Sequence, residues 1–240
     1  MLRSLRLLRP WRPFGVRGCA ITEILMNRPR ACNALGNVFV SELLDALARL
    51  REDQQVRVLL FRSGVKGVFC AGADLKEREQ MSALEVGVFV QRLRGLMNEI
   101  ASTAVMGLIE TTRGLLPGAG GTQRLPRCLG VALAKELIFT GRRLTGMEAH
   151  ALGLVNHAVD QNEAGDAAYH RARALAQEIL PQAPIAVRLG KVAIDRGMEV
   201  DIASGMAIEG MCYAQNIPTQ DRLEGMAAFR EKRPPKFVGK

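Results

Sequence analysis

Apolar and polar positions change their period along the chain, and that change divides it into an early mixed part and a late helical part. Residues 21–26 (Ile-Thr-Glu-Ile-Leu-Met) predict a short strand, ended by Asn27-Arg28-Pro29. Asn33 to Gly36 then turns into a helix predicted over 38–51. Val40, Leu43, Leu44, Leu47 and Leu50 make its apolar face, with Glu42, Asp45 and Arg49 outside. Residues 56–61 (Val-Arg-Val-Leu-Leu-Phe) have the aliphatic density of a buried strand of the parallel type. Residues 82–100 read as helical, with Leu84, Val88, Leu93, Leu96, Met97 and Ile100 recurring along one side. From residue 129 onward helices dominate, over 129–139, just before Gly153, and over 164–180, which Pro181 and Pro184 stop. Further helices are predicted over 185–196, 201–216 and 221–233, the last followed by a Pro-Pro break. The pattern gives an α/β core over 21–160 and a helical C-terminal region over 161–240.

Bulk properties narrow the picture. The 240 residues suffice for one large domain, and 48% hydrophobic with 24% charged residues is ordinary for a soluble globular chain. No apolar run approaches the roughly 18 to 20 residues that cross a bilayer, so no membrane span is expected. The net charge of +9 would suit nucleic acid, but residues 1–20 hold five arginines (Arg3, Arg6, Arg9, Arg12, Arg17) and no acid. Setting those five aside lowers +9 to +4. Interleaved with Leu2, Leu5, Leu7 and Leu8, the segment reads as a mitochondrial transit peptide, with the mature protein in the matrix; a basic RNA-binding arm is the rival. The polar face of the 38–51 helix is mixed in sign, which argues against a nucleic-acid partner there. Five scattered cysteines without a Cys-x-x-Cys pair support neither a disulfide framework nor a zinc site, and the three histidines lack metal-ligand spacing.

Two stretches carry candidate chemistry. In the first, the 56–61 strand runs into Cys70-Ala71-Gly72-Ala73-Asp74-Leu75-Lys76-Glu77, small residues and then a charged helical start. Successive backbone N–H groups at such a place suit an oxyanion or a phosphate. In the second, the apolar run 105–109 precedes Glu110, and a loop follows with Gly114, Gly118, Gly120 and Gly121. A carboxylate at the edge of an apolar run is the kind of group general acid–base chemistry uses, and close-set glycines let backbone approach a ligand. Read alone, each stretch is equally a tight structural connection.

Together they resemble the enoyl-CoA hydratase (crotonase) family. The resemblance rests on Cys70 to Glu77, on Pro117-Gly118-Ala119-Gly120-Gly121-Thr122-Gln123-Arg124-Leu125-Pro126-Arg127, on 134–141, on Gly153-Leu154-Val155, and on Glu224 to Phe229 with Lys232-Arg233. It implies a crotonase-like spiral core of ββα-type units, a helical trimerisation region, and assembly as a homo-trimer or hexamer. It also implies an acyl-CoA thioester substrate, with coenzyme A as part of the substrate and no separate cofactor or metal. By the same resemblance Ala73 supplies an oxyanion N–H, Glu110 is the second catalytic glutamate, and the Gly118 N–H helps hold the catalytic water. Ala71, Gly72, Asp74 and Lys76 would line the CoA arm; Phe229 and Lys232 match terminal-helix residues that reach a neighbouring subunit's CoA.

One departure is large. The family's Gly-Gly-Gly-x-Glu segment, which carries the second oxyanion N–H and the first catalytic glutamate, has no counterpart here. Asn98-Glu99-Ile100-Ala101 passes almost directly into Ser102-Thr103-Ala104-Val105-Met106, a shortening near 101–104 of about one strand–helix–strand unit, on the order of thirty residues. Glu99 lies in a predicted helix without the glycine context that would let it substitute. The family's strand before Ile21 is also missing from this reading, and the core is expected to be incomplete. Three functions therefore stay open: a lyase of mitochondrial fatty-acid or branched-chain catabolism, weakened or inactive in this form; a non-catalytic acyl-CoA binder or hetero-oligomer subunit; and an RNA-binding relative.

Overall fold

A computed structural model describes residues 5–8, 20–53, 55–82, 85–86, 89–90 and 107–240. Its sheet has β2 (Ala20–Met26) at the centre, between β1 (Leu5–Leu8) and β3 (Val56–Ser63). β1 pairs antiparallel with β2, from Leu5 opposite Met26 to Leu8 opposite Glu23. β3 pairs parallel with β2, and the register shifts between Ala20 and Ile21. A strand thus stands beside β2 where the sequence reading had none, and it comes from the arginine-rich segment. The parallel pair needs a crossover, which η1 (Pro29–Ala31) and helix α1 (Asn37–Glu52) supply.

α1 packs Phe39, Val40, Leu43, Ala46 and Leu47 inward against Ile24, Met26, Leu35 and Phe89. Burying such side chains is worth roughly 1.5–3 kcal/mol each. The buried stripe is rotated from the predicted one, so Leu44 and Leu50 lie at its margin. Glu42, expected outside, is half-buried, and its Oε2 is enclosed without a hydrogen-bond partner among the described residues. β3, expected to be fully buried, is half-buried along its whole length. Among the described residues it pairs on one side only.

After β3 come α2 (Leu75–Glu79), the 3₁₀ turn Glu110–Arg113, α3 (Gly121–Leu129), α4 (Val131–Thr140), α5 (Gly146–Ala151) and α6 (Ala167–Ile179). A second cluster, Leu137, Leu144, Ala149 and Val155, joins α4 to α5. Thr145 and Glu148 close a capping box at the start of α5. The predicted helix over 82–100 is seen at Glu85–Val86 and Phe89–Val90 only; its remaining apolar positions and Glu99 lie outside the described residues.

Contacts divide the chain into two units, Met1–Arg173 and Ala174–Lys240. In the second, α7 (Pro184–Gly197) and α8 (Ile202–Asn216) pack closely where Gly197 meets Gly205: a Cβ on Gly205 would sit 3.5 Å from the Gly197 carbonyl oxygen. α9 (Gln220–Glu231) follows, capped by Thr219. Among the described residues no helix is long and apolar enough to cross a membrane.

Candidate active site

The first predicted window is the connection between β3 and α2. Leu35 forms a parallel bridge with Ala73: the Leu35 N–H donates to the Gly72 carbonyl at 2.7 Å, and the Asp74 N–H donates to the Leu35 carbonyl at 3.1 Å. In such a bridge the flanking residues supply both bonds, so the N–H and C=O of Ala73 point away from Leu35. Among the described residues the Ala73 N–H has no partner. Gly72, at φ +86°, takes a left-handed conformation that a side chain would strain. Ala71 and Gly72 are exposed, Ala73 is half-buried, and Lys76 is exposed on α2. The backbone therefore presents an unspent donor from a braced loop.

Sequence reasoning missed what braces it. Asn33 is completely buried at φ +54°, where asparagine is among the few tolerated residues. Its Nδ2 donates to Ser63 Oγ and to the Phe69 carbonyl, both at 3.0 Å, and its Oδ1 accepts the Arg28 N–H at 2.7 Å. Arg28 reaches the Ala34 carbonyl and, at 3.4 Å, Asp74 Oδ2, with its guanidinium over the Phe39 ring. The Asp74 carboxylate, assigned by resemblance to the CoA arm, thus faces Arg28. The Cys70 thiol donates to the Asn33 carbonyl at 3.2 Å and accepts the Gly72 N–H at 3.4 Å. Burial raises its pKa, opposed by the Gly72 N–H and the Arg28 charge. The signal in the sequence is an asparagine four residues after Pro29, in the turn that leads into α1.

From Gly107 the second window is irregular backbone leading into a tight turn. Glu110 opens the 3₁₀ turn Glu110–Arg113, which Gly114 caps in a left-handed conformation. Thr111 Oγ1 anchors the turn to the Ile138 carbonyl at 2.6 Å, and the Leu115 N–H donates to the Glu110 carbonyl at 2.9 Å. Glu110 Oε2 is enclosed with no hydrogen-bond partner among the described residues. An enclosed, unspent carboxylate oxygen costs stability, and such groups call for an explanation.

The glycine loop closes over this turn. A Cβ on Gly121 would lie 2.7 Å from Leu108 Cδ1 and 3.1 Å from Pro117 Cβ, so the loop sits directly on the residues leading to Glu110. Gly118 is half-buried beside Val90, and its neighbour Ala119 packs on the cluster that also holds Ala73. Ala73 and Ala119 thus pack against one core, and Gly121 brings the same glycine loop onto Leu108, two residues before Glu110. Of the other predicted residues, Phe229 is 89% exposed and Lys232 is the exposed left-handed cap of α9; both belong to the second unit. The cavity of about 480 Å³ found in that unit, lined by Asp221, Glu224 and Arg233 among others, contains none of the predicted site residues. Among the described residues no group of three or more His, Cys, Asp and Glu is arranged to hold a metal ion.

Comparison with known proteins points to the same family as the sequence resemblance. The Enoyl-CoA hydratase/isomerase family model matches residues 17–102 and 97–240. The chain is 74% identical to human "Enoyl-CoA hydratase domain-containing protein 2, mitochondrial", with all of both chains covered. It is 48% identical to human "Methylglutaconyl-CoA hydratase, mitochondrial", covering 93% of this chain and 74% of that one. The crystal structure of an enoyl-CoA hydratase from Bacillus anthracis superposes with a TM-score of 0.86 at 35% identity, covering 99% of this chain and all of the other. A braced loop with a free amide, an enclosed carboxylate beside a glycine loop, and matches running nearly end to end lead to one conclusion: the chain belongs to the enoyl-CoA hydratase/isomerase family.

Proposed function

We propose that this chain handles acyl-CoA thioesters at the Ala73–Glu110 site, as an enoyl-CoA hydratase-type lyase whose turnover is strongly reduced in this form. The free N–H of Ala73 carries the reading. A thioester oxygen accepting that bond gains charge as an enolate forms, and a preorganised donor stabilises it without reorganisation. The enclosed Glu110 carboxylate is suited to sharing a water with the Gly118 loop and to transferring a proton. Coenzyme A enters only as part of the substrate, along Ala71, Gly72, Asp74 and Lys76. Fatty-acid or branched-chain catabolism in the mitochondrial matrix fits the relatives named mitochondrial, and assembly as a homo-trimer or hexamer fits the family.

Reduced turnover follows from the absent Gly-Gly-Gly-x-Glu segment. Two observations support that absence. The family model matches in two stretches that meet at 97–102, beside the shortening read from the sequence. The alignment with the human relative spans 292 positions against 240 residues here, so 52 positions face no residue of this chain. Losing one oxyanion donor costs about 10²–10³ in rate, and losing a positioned acid–base group about 10²–10⁴. The same loss favours a second reading, a non-catalytic acyl-CoA binder or hetero-oligomer subunit.

Crotonyl-CoA hydration by the wild type and by Glu110→Gln separates the two. A wild-type rate clearly above that of Glu110→Gln supports residual catalysis. Equal, near-background rates with acyl-CoA retained leave the binder, and no retention of any acyl-CoA overturns both.

A further inference from the structure

The Cys70 thiol is a group that the proposed chemistry does not use, yet it stands at the start of the loop that presents the Ala73 N–H. It is half-buried against the same core cluster as Ala73. Burial raises its pKa, so it stays protonated at neutral pH and can donate to the Asn33 carbonyl, 3.2 Å away. Successive backbone N–H groups leave this loop at residues 71 to 74. Ala71 donates to the Cys32 carbonyl at 3.0 Å, Gly72 to the Cys70 sulfur at 3.4 Å, and Asp74 to the Leu35 carbonyl at 3.1 Å. Among the described residues the Ala73 N–H is the one of this run without a partner. Its direction depends on Gly72. A trans peptide sets the Ala73 N–H opposite the Gly72 carbonyl, which the Leu35 N–H holds at 2.7 Å. The peptide on the other side of Gly72 is tied through the Gly72 N–H, and the thiol is what ties it. Glycine resists rotation least of all residues, so the two ties together are what keep Gly72 at φ +86°.

We infer that Cys70 is a positioning residue for the oxyanion donor: its thiol, anchored on the Asn33 carbonyl, takes up the Gly72 N–H and locks Gly72, leaving the Ala73 N–H free and aimed in one direction at a thioester oxygen. This role rests on the acyl-CoA reading of the preceding section. A donor of this kind is effective because it needs no reorganisation as charge develops on the oxygen. With the thiol tie gone, the peptides on either side of Gly72 rock against each other, and the Ala73 N–H meets the oxygen less squarely.

The test reads the bond to the thioester oxygen directly and needs no turnover. Butyryl-CoA labelled at its thioester carbonyl carbon is bound to the full chain, to Cys70→Ser, to Cys70→Ala and to Cys70→Val. Isotope-edited infrared spectroscopy follows the carbonyl stretch, which falls as the hydrogen bond strengthens, and melting temperature is measured in parallel. The wild type is expected to lower the stretch from its value in free butyryl-CoA. Cys70→Ser should keep that lowering, because a hydroxyl can also donate to Asn33 O and accept the Gly72 N–H. Cys70→Ala and Cys70→Val should lose most of it with butyryl-CoA still bound. Valine fills the space that alanine leaves empty, so a Cys70→Ala chain that fails to fold does not close the test. A full lowering in either apolar variant, whatever its melting temperature, would mean a purely structural thiol and overturn the inference. Loss in Cys70→Ser as large as in Cys70→Ala would overturn it as well, since the hydrogen bonds would then not be what matters. A wild type that binds no acyl-CoA, or binds it with the stretch at its free value, refutes the acyl-CoA reading itself, and the inference with it.

Discussion

Glu77 caps helix α1 from forty residues away: its Oε2 accepts the N–H of Asn37 at 2.8 Å, one of the donors that a helix start leaves unpaired. Gly36 makes the space for it, since a Cβ there would lie 2.1 Å from Glu77 Oε1. The contact is with the end of a flexible side chain, so Gly36→Ala displaces the carboxylate and the cost is the lost cap, about 1 kcal/mol. Glu77→Ala should cost about the same, and the double variant no more than either alone. Urea unfolding of the three variants measures this; additive losses would show that glycine is required for another reason.

Asn33 is the more severe position. Replacing it with alanine strands the Phe69 carbonyl and the Arg28 N–H, while Ser63 Oγ keeps its bonds to Val65 and Val68. It also places a Cβ-only residue at φ +54°. Two unpaired groups at roughly 1–3 kcal/mol each, with the backbone strain, predict a loss of about 3 kcal/mol. Asn33→Asp should be no rescue, because a carboxylate facing Phe69 O supplies an acceptor where a donor is needed. Equilibrium unfolding decides it, and a loss under about 1 kcal/mol would remove Asn33 from the brace.

How far the sequence carried differs by element, for physical reasons. β2, α1 and α6 to α9 came within a few residues of their observed bounds, because α1 has a one-sided apolar face, Pro181 and Pro184 separate α6 from α7, and Asp201 and Thr219 mark helix starts. α3 was missed: the helix predicted over 129–139 is α4, and α3 precedes it, beginning at Gly121 and carrying Pro126 inside it. Gly-Gly and an internal proline read as breakers, and only packing overrides them. The Ala73 loop was legible from its small residues, whereas Arg28, Asn33 and Glu77 act across long sequence separations that no local pattern encodes.

The enclosed Glu110 Oε2 sets stability against function. Glu110→Met keeps the length of the side chain and removes a polar oxygen that has no partner among the described residues. The variant should gain about 1 kcal/mol, raising the melting temperature by roughly 2–4 °C for a chain of this size, while any acyl-CoA hydration falls to background. Calorimetry and the crotonyl-CoA assay give the two readouts. A destabilised variant would mean that the carboxylate is satisfied in solution and serves the fold.

Acid should release Glu224 of α9 from Arg233 and Lys236 later than an ordinary glutamate would allow. The Arg233 hydrogen bonds, then the Lys236 N–H, lower its pKa from 4.5 to about 2. A carboxyl depressed in the folded state contributes its full stabilisation above the unfolded value of 4.5, and loses it as pH falls toward 2. Glu224 is half-buried at the surface, so the contribution is partly screened, and the informative quantity is the midpoint. Carbon-detected NMR of the Glu224 carboxyl should titrate near pH 2, with the Arg233 Nε and Lys236 amide shifts moving at the same pH. In Glu224→Gln those two shifts should stay flat over that range. A Glu224 midpoint near 4.5 in the wild type would mean that Arg233 and Lys236 do not hold the carboxylate in solution.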